Sequence, residues 1–267
     1  MAKTVLITGA SSGIGKETAL YFHSKGWNVV ATMRHPESCK IKEKPGLVLA
    51  RLDVTDPASI KKAFSYAKDK FKKVDALVNN AGYGLVGPFE SYSDEQIRKQ
   101  FDTNVFGLMA VTREAIPMLR AQGSGTIINI ASMGGRISFP LYSAYNASKW
   151  AVEGFSESLM YELAQFNIRV RMIEPGVVKT EFYGRSMDKP ADPGKYSGYV
   201  ERIMENMGKA GGSLSPSVVA EAVYAAAMDN HPRLRYTVGS DAWELTTARK
   251  ILPEWLFFRI FASILNK

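Results

Sequence analysis

The stretch Lys3–Phe22, KTVLITGASSGIGKETALYF, decides how the chain is to be read. It opens with a short continuous apolar run, breaks at glycine and serine, and continues with helix-forming residues. A strand, a glycine-rich turn and a helix in immediate succession begin a strand–helix–strand unit. The glycines are Gly9, Gly13 and Gly15. Gly9 suits a tight turn, Gly13 lets backbone approach a ligand, and Gly15 lets the helix pack on the strand. The free N–H groups and dipole of a helix start favour an anion such as pyrophosphate. The spacing is Gly-x-x-x-Gly-x-Gly, not the Gly-x-Gly-x-x-Gly of the standard dinucleotide fingerprint. Taken alone it is also compatible with a plain turn.

Outward from this stretch the same alternation repeats. Apolar runs follow at "WNVVATM", "GLVLARLDV", "VDALVNN", "GTIINIAS", "IRVRMIEPG" and "LRYTVG". Between them lie helical stretches. "DPASIKKAFSYAKDKF" carries an Asp cap with proline just inside, and "SPSVVAEAVYAAAMD" a Ser cap with proline. "SDEQIRKQFDTNVFGLMAVTREAIPMLR" reads as one long helix, and "SAYNASKWAVEGFSESLMYELAQ" as another. The apolar runs are continuous rather than alternating, the pattern of parallel strands buried on both faces. The expected fold is α/β, a Rossmann-type doubly wound parallel sheet of about seven strands with helices on both faces. With no repeat, low-complexity tract or linker, residues 1–267 are expected to form a single domain.

Composition narrows the function classes. Hydrophobic residues make up 46% and charged residues 22%, ordinary for a globular chain. Cys39 is the only cysteine, which excludes an intrachain disulfide and a cysteine-based metal site. No metal is expected. The first residues lack a secretory h-region, and a reducing, cytoplasmic setting is expected. The formal charge of +8 favours anionic partners such as a phosphorylated cofactor. The lysines are scattered, and no nucleic-acid signature appears.

The second strand bears on the cofactor. In an NAD site an acidic residue near its end takes the ribose 2′-OH. Here the run ends "VVATMRH", with Arg34 and no acid. A planar guanidinium suits a 2′-phosphate, although Arg34 also fits an ordinary surface position. The glycine loop has Ser12 and no second basic residue, so an expectation of NADP (NADPH over NADH) rests on Arg34.

Further along, Tyr145 and Lys149 stand four residues apart in a helical stretch, on one face, with small alanines around them. Taken with "TGASSGIG" (Thr8 to Gly15), "LDVTD" (Leu52 to Asp56), "NNAG" (Asn79 to Gly82), "NVFG" (Asn104 to Gly107), Ser132 in "IASMGG" and "PGVVKT" (Pro175 to Thr180), the chain resembles the classical short-chain dehydrogenases/reductases over nearly its whole length. Ser132 lies 13 positions before Tyr145, as in that family. The texture around Tyr145 and the long tail look most like its retinol-dehydrogenase and 17β-hydroxysteroid-dehydrogenase-like branch.

The resemblance implies an oxidoreductase that interconverts a carbonyl and an alcohol with NADP(H). Tyr145 would be the acid/base. A free phenol titrates near ~10, and a neighbouring ammonium favours its ionised form. Lys149 would supply that charge and hold the nicotinamide ribose. Ser132 would hydrogen-bond the substrate oxygen, and Asn104 would bind a relay water. The cofactor would lie against Gly9, Ser11, Ser12, Gly13, Ile14, Gly15 and Arg34. Asp53 and Val54 would meet its adenine, and Asn80, Ala81 and Gly82 its adenosine ribose. Pro175, Gly176, Val178 and Thr180 would hold the nicotinamide. A homodimer or homotetramer is also implied.

Residues 182–212 correspond to the family's variable substrate loop. Phe182, Tyr183, Tyr196, Tyr199 and Met204, with Met133, Phe139 and Leu141, read either as an apolar pocket for a lipophilic substrate or as core. The apolar tail, residues 241–267, is too short and interrupted to span a membrane. It reads as a pocket cap or subunit contact, a surface-lying amphipathic segment with Arg249, Lys250, Arg259 and Lys267, or core. The competing function is a nucleotide-binding sensor or scaffold without turnover, which would not need Asn104, Ser132, Tyr145 and Lys149 together.

Overall fold

The computed structural model describes residues 2–179, 187–190, 192–210 and 214–265, the side chains of 207–210 excepted. Thr180, Phe182 and Tyr183 lie outside the described residues. Seven strands form one parallel sheet: β1 (Thr4–Ile7), β2 (Asn28–Met33), β3 (Leu47–Arg51), β4 (Ala76–Asn79), β6 (Gly125–Ile130), β7 (Ile168–Pro175) and β9 (Arg235–Val238). Their order is β3-β2-β1-β4-β6-β7-β9. The direction of winding reverses between β1 and β4, so the strand ends there open a crevice at the carboxyl edge. Every residue of β1 and β4 is buried, as the unbroken apolar runs require.

Helices cover both faces. On one side α1 (Gly13–Ser24) packs with α7 (Pro216–Met228), and Phe22, Trp27 and Val223 join the strands' Val5, Val29 and Ile128 in one core. On the other, α2 (Pro57–Phe71), α4 (Leu108–Gln122) and α5 (Ser143–Ala164) bury Phe64, Leu119 and Leu159 against Leu6, Leu77 and Ile127. The caps follow the sequence. Asp56 accepts from the N–H groups of Ala58 and Ser59, and Ser215 from that of Val218. At α3 (Asp94–Phe101), Ser93 and Gln96 form a reciprocal capping box.

The long helix expected from Ser93 runs unbroken from Asp94 to Gln122, but it is not α-helical throughout. Between α3 and α4 the residues Asp102–Gly107 form a π-helical turn. Such a turn inserts extra backbone and re-aims side chains. Here it turns Asn104 inward, where it is 2% exposed. Gly107 is pressed against Val54, which a Cβ would approach to 2.7 Å.

Three elements are not marked by the sequence pattern. The two-residue strands β5 (Gly84–Leu85) and β8 (Met187–Asp188) pair in parallel beside the crevice, and α6 (Ser197–Ala210) follows. The tail forms α8 (Ser240–Ile251) and α9 (Glu254–Leu265). Phe257 and Phe261 of α9 stack 5.5 Å apart, and Phe261 meets Phe139 edge-on at 5.7 Å. The tail thus packs against Phe139 through Phe257 and Phe261, while Trp255, Phe258 and Ile264 remain exposed. Among the described residues no helix is long and apolar enough to cross a membrane.

Candidate active site

The crevice at the carboxyl edge is a cleft of about 630 Å³. One end is built from the turn after β1. Gly9 has φ +66°, and a Cβ there would lie 2.8 Å from the Ala81 Cα. The turn is therefore closed to any other residue by backbone conformation and by contact. Gly15, one turn into α1, lies against the carbonyl of Gly9 and the amide of Asn80. Thr8 fastens this turn to the end of β4: its hydroxyl accepts from the N–H groups of Asn80 and Ala81, each at 3.0 Å. The Asn80 amide donates to the carbonyls of Thr8 (2.9 Å) and Gly9 (3.0 Å). Asn80 therefore braces the glycine turn with its side chain while lining the cleft.

The first turn of α1 opens into the cleft with its N–H groups unclaimed by a side chain. Ser12 stands at the N-cap but makes no side-chain cap hydrogen bond, and no acidic residue occupies the first turn. Such a helix start accepts an anion. Ser11, Ser12, Gly13, Ile14, Arg34, Asp53, Val54, Ala81 and Gly82 share this end of the cleft. Arg34 follows directly on β2, and Asp53 is held by bonds from the Thr55 N–H (3.0 Å) and hydroxyl (2.8 Å). A donor-lined, acid-free helix start with a cation at the next strand end fits a phosphorylated dinucleotide.

The other end gathers the residues with reactive side chains. Ser132 follows β6 in extended backbone, caps the short turn Met133–Gly135, and accepts from the Gly134 N–H at 3.0 Å. Tyr145 and Lys149 lie on the first turns of α5, with the Lys149 ammonium 5.8 Å from the Tyr145 ring centre. Lys149 is 8% exposed and donates to the Ile130 carbonyl at 2.8 Å. Burial pushes its pKa down to about 8, and the Glu153 carboxylate opposes that shift. Pro175, the last residue of β7, and Gly176 and Val178 beyond it line the cleft here. Asp241, at the start of α8, accepts from the Val177 N–H at 2.7 Å and abuts Gly176.

Asn104 does not line the cleft. Its amide donates to the Tyr83 carbonyl (2.9 Å) and the Ser148 hydroxyl (3.3 Å) and accepts from the Tyr83 N–H (3.1 Å). Both amide hydrogens are thus taken. Gly15 likewise sits behind the lining, as a packing residue.

The apolar wall differs in part from the sequence expectation. Met133 and Phe139 line the cleft, joined by Tyr142, Val177 and Met187. Leu141, Tyr199 and Met204 instead pack with Val86, Tyr142 and Ile203 in a satellite core. Leu141 reaches it from left-handed backbone, φ +67°, with its carbonyl accepting from the Gly87 N–H and the Tyr92 hydroxyl. Tyr196 is 38% exposed and lies outside the lining. Sequence reasoning also passed over Tyr83. It lines the cleft, yet its hydroxyl is buried without a hydrogen-bond partner, and burial raises its pKa to about 12. Among the described residues no cluster of His, Cys, Asp and Glu is arranged to hold a metal.

The fold and cleft define a dinucleotide-binding α/β protein with a serine, a tyrosine and a lysine at the far end of the binding crevice. Residues 3–191 match the short chain dehydrogenase family. The chain is 38% identical over 279 aligned residues to the uncharacterized oxidoreductase YusZ of Bacillus subtilis, covering 99% of this chain and 98% of that one. It superposes on a short-chain dehydrogenase from Streptomyces avermitilis with a TM-score of 0.85 and 34% identity, over 94% of this chain and 93% of that one. A short chain dehydrogenase from Burkholderia cenocepacia, solved in complex with NADP, matches with a TM-score of 0.79 and 25% identity, over 97% of each chain. The chain belongs to the short-chain dehydrogenase/reductase family and is an oxidoreductase of that family.

Proposed function

We propose that this chain is an NADP(H)-dependent oxidoreductase that interconverts a ketone or aldehyde and the corresponding alcohol on a lipophilic substrate. The observation that carries the reading is the convergence of Ser132, Tyr145 and Lys149 at one end of the cleft whose other end holds the glycine turn and Arg34. When bound, the nicotinamide supplies or takes up the hydride. Everything else falls to the chain. Tyr145 gives a proton to the carbonyl oxygen on reduction and takes it back from the alcohol on oxidation. Lys149 sits beside the Tyr145 ring as a buried cation, which favours the phenolate over the phenol. Ser132 offers its hydroxyl to the substrate oxygen as charge develops there. The Gly134 N–H, donating to the Ser132 oxygen, leaves the serine hydrogen free to point at substrate.

Asn104 enters chiefly as a support. It holds the backbone at Tyr83, and a relay water would have to share its carbonyl oxygen with the Tyr83 N–H. The preference for NADPH rests on Arg34 alone, because no acid stands at the end of β2 to receive a ribose hydroxyl. The apolar wall of Met133, Phe139, Tyr142 and Met187 supports the lipophilic substrate.

The test is oxidation of NADPH and NADH against a panel running from small ketones through aromatic ketones to steroids and retinal. Turnover with NADPH and a bulky apolar carbonyl is expected. Turnover restricted to small polar carbonyls would overturn the substrate class. Tight cofactor binding with no turnover across the panel would move the reading to a nucleotide sensor.

A further inference from the structure

Behind Lys149 lies a buried charge cluster that the proposed chemistry does not use. Glu153 follows Lys149 by one helical turn on α5, on the same face. It is 6% exposed, and Glu174, the penultimate residue of β7, is 0% exposed. Two guanidiniums meet this pair. Arg235 of β9 places Nε 3.0 Å from Glu153 Oε2 and 3.4 Å from Glu174 Oε1. Arg136, just after the Met133–Gly135 turn, reaches Glu174 Oε2 at 3.3 Å, and the Thr237 hydroxyl donates to the same oxygen at 2.9 Å. On the solvent side Arg235 also pairs with Glu157 at 2.6 Å.

Three segments of the candidate active site are joined here. Glu153 shares its helix with Lys149, and Glu174 precedes Pro175 and Gly176 of the cleft lining. Gly135, at the end of the Ser132 turn, presses on both sides of that joint: a Cβ there would lie 2.9 Å from Glu153 Cγ and 3.1 Å from the Lys149 carbonyl. Yet the cluster is not built for stability alone. Glu153 Oε1 is buried without a hydrogen bond, and Glu174 Oε1 has only its 3.4 Å ion pair with Arg235. A buried polar atom left this way is costly, and apolar residues at these positions would avoid the cost.

We propose that Glu153 is a positioning residue for the reaction, whose buried carboxylate keeps Lys149 in its ammonium form beside Tyr145. This rests on the reading of Tyr145 and Lys149 as the acid/base pair. Burial opposes charge on Lys149, and the anion one turn away offsets part of that effect. The groups facing Glu153 set its own state. Burial, and after it Glu174, push its pKa up to about 7, while Arg235 and Arg136 pull it down. Glu157, on the exposed rim, competes for Arg235. Above about pH 7 the carboxylate is charged, in the range where Lys149 begins to lose its proton.

The experiment follows Lys149 directly. The pH dependence of its acylation by acetic anhydride, read by mass spectrometry, gives its titration midpoint in wild type, Glu153→Gln and Glu157→Gln. Loss of an opposite charge one helical turn away lowers an ammonium pKa by about 1 unit. Glu153→Gln should therefore lower the midpoint by about 1 unit. The limb of kcat/KM for alcohol oxidation that reports proton loss from the Tyr145–Lys149 pair should move to lower pH with it, because removing an anion makes nearby protons easier to lose. Glu157→Gln, which removes the other Arg235 partner, should move neither. An unchanged midpoint in Glu153→Gln, or an equal shift in Glu157→Gln, would overturn the proposal. If wild type turns nothing over, the labelling still decides the role of Glu153, and only the oxidoreductase reading fails. If Glu153→Gln does not fold, Glu153→Asp draws the charge back by one methylene. A smaller downward shift is then expected, and no shift overturns the proposal.

Discussion

Lys149 donates from Nζ to the carbonyl of Ile130 at 2.8 Å, from the second turn of α5 to the last residue of β6. Ser132 is two residues beyond Ile130. One hydrogen bond therefore ties the helix that carries Tyr145 and Lys149 to the strand end that carries Ser132. The tether orients one of the three ammonium hydrogens and leaves the others for the cleft.

Removing only the phenolic hydroxyl tests the acid/base assignment. Positioned proton transfer is worth about 10²–10⁴-fold in rate. Tyr145→Phe should lower kcat by about 10²-fold or more while cofactor binding stays close to wild type, because the ring still packs edge-on against Tyr142 at 6.0 Å. Steady-state rates and cofactor titration by intrinsic fluorescence measure the two separately. Near-wild-type turnover would remove Tyr145 from the mechanism.

Arg34 tests the cofactor preference. A hydrogen bond to a charged group contributes about 1.5–3 kcal/mol, so losing the pair to a 2′-phosphate should weaken NADPH binding by about 10- to 100-fold. Arg34→Asp should also offer an acceptor to a ribose hydroxyl, leaving NADH binding unchanged or better. Dissociation constants for both nucleotides decide it; equal losses would return Arg34 to an ordinary surface role.

Much of this arrangement is legible in the sequence because it is local. The strands announce themselves as buried apolar runs, and Asp56, Ser93 and Ser215 mark helix starts that the structure caps as expected. The glycine turn is legible because only glycine tolerates its backbone. What could not be read depends on distant pairing. Strands β5 and β8 are two residues each and about a hundred positions apart, too short for any pattern. The π-helical turn at Asp102–Gly107 leaves the residue types of an ordinary helix unchanged while shifting which face Asn104 presents. Nothing in the sequence pattern sets Asp241 and Glu153 apart from surface charges. They become part of the site only because β7 and α8, or α5 and β9, are brought together. Leu141, Tyr199 and Met204 carried the right hydrophobicity for a pocket, but periodicity does not say which apolar surface they face.

The glycine turn gives a prediction about backbone. Gly9→Ala would place a side chain in left-handed conformation, φ +66°, and drive Cβ to 2.8 Å from the Ala81 Cα. Backbone strain of this kind costs about 1–3 kcal/mol, and the contact with Ala81 adds to it. The variant should melt several degrees lower and bind dinucleotide far more weakly, since the turn can relax only by moving away from the strand end. Calorimetry with and without NADPH separates the two effects. A variant with wild-type melting and wild-type affinity would show that the turn does not need glycine there.

Lys149 should make the protein less stable for the sake of its chemistry, and pH should reveal it. Its pKa in the folded chain is lowered from 10.5 to about 8 by burial. Between those values the unfolded chain holds a proton that the folded chain has released, so stability rises with pH across that window. Below about pH 8 both states are charged, and the folded state bears the full cost of burying the ammonium. A shift of this size corresponds to about 3 kcal/mol, from which the lost bond to Ile130, about 1 kcal/mol, must be subtracted for a variant. Lys149→Met keeps an unbranched chain of similar length without the charge. It should be inactive, and at pH 7 more stable than wild type by on the order of 1–2 kcal/mol. The advantage should shrink as pH rises from about 8 towards 10.5, where wild type itself sheds the proton. Urea unfolding of both proteins at pH 7 and pH 9.5 measures it. A variant that is less stable at pH 7, or a difference that does not narrow at the higher pH, would mean that the ammonium is not held at the cost its burial implies.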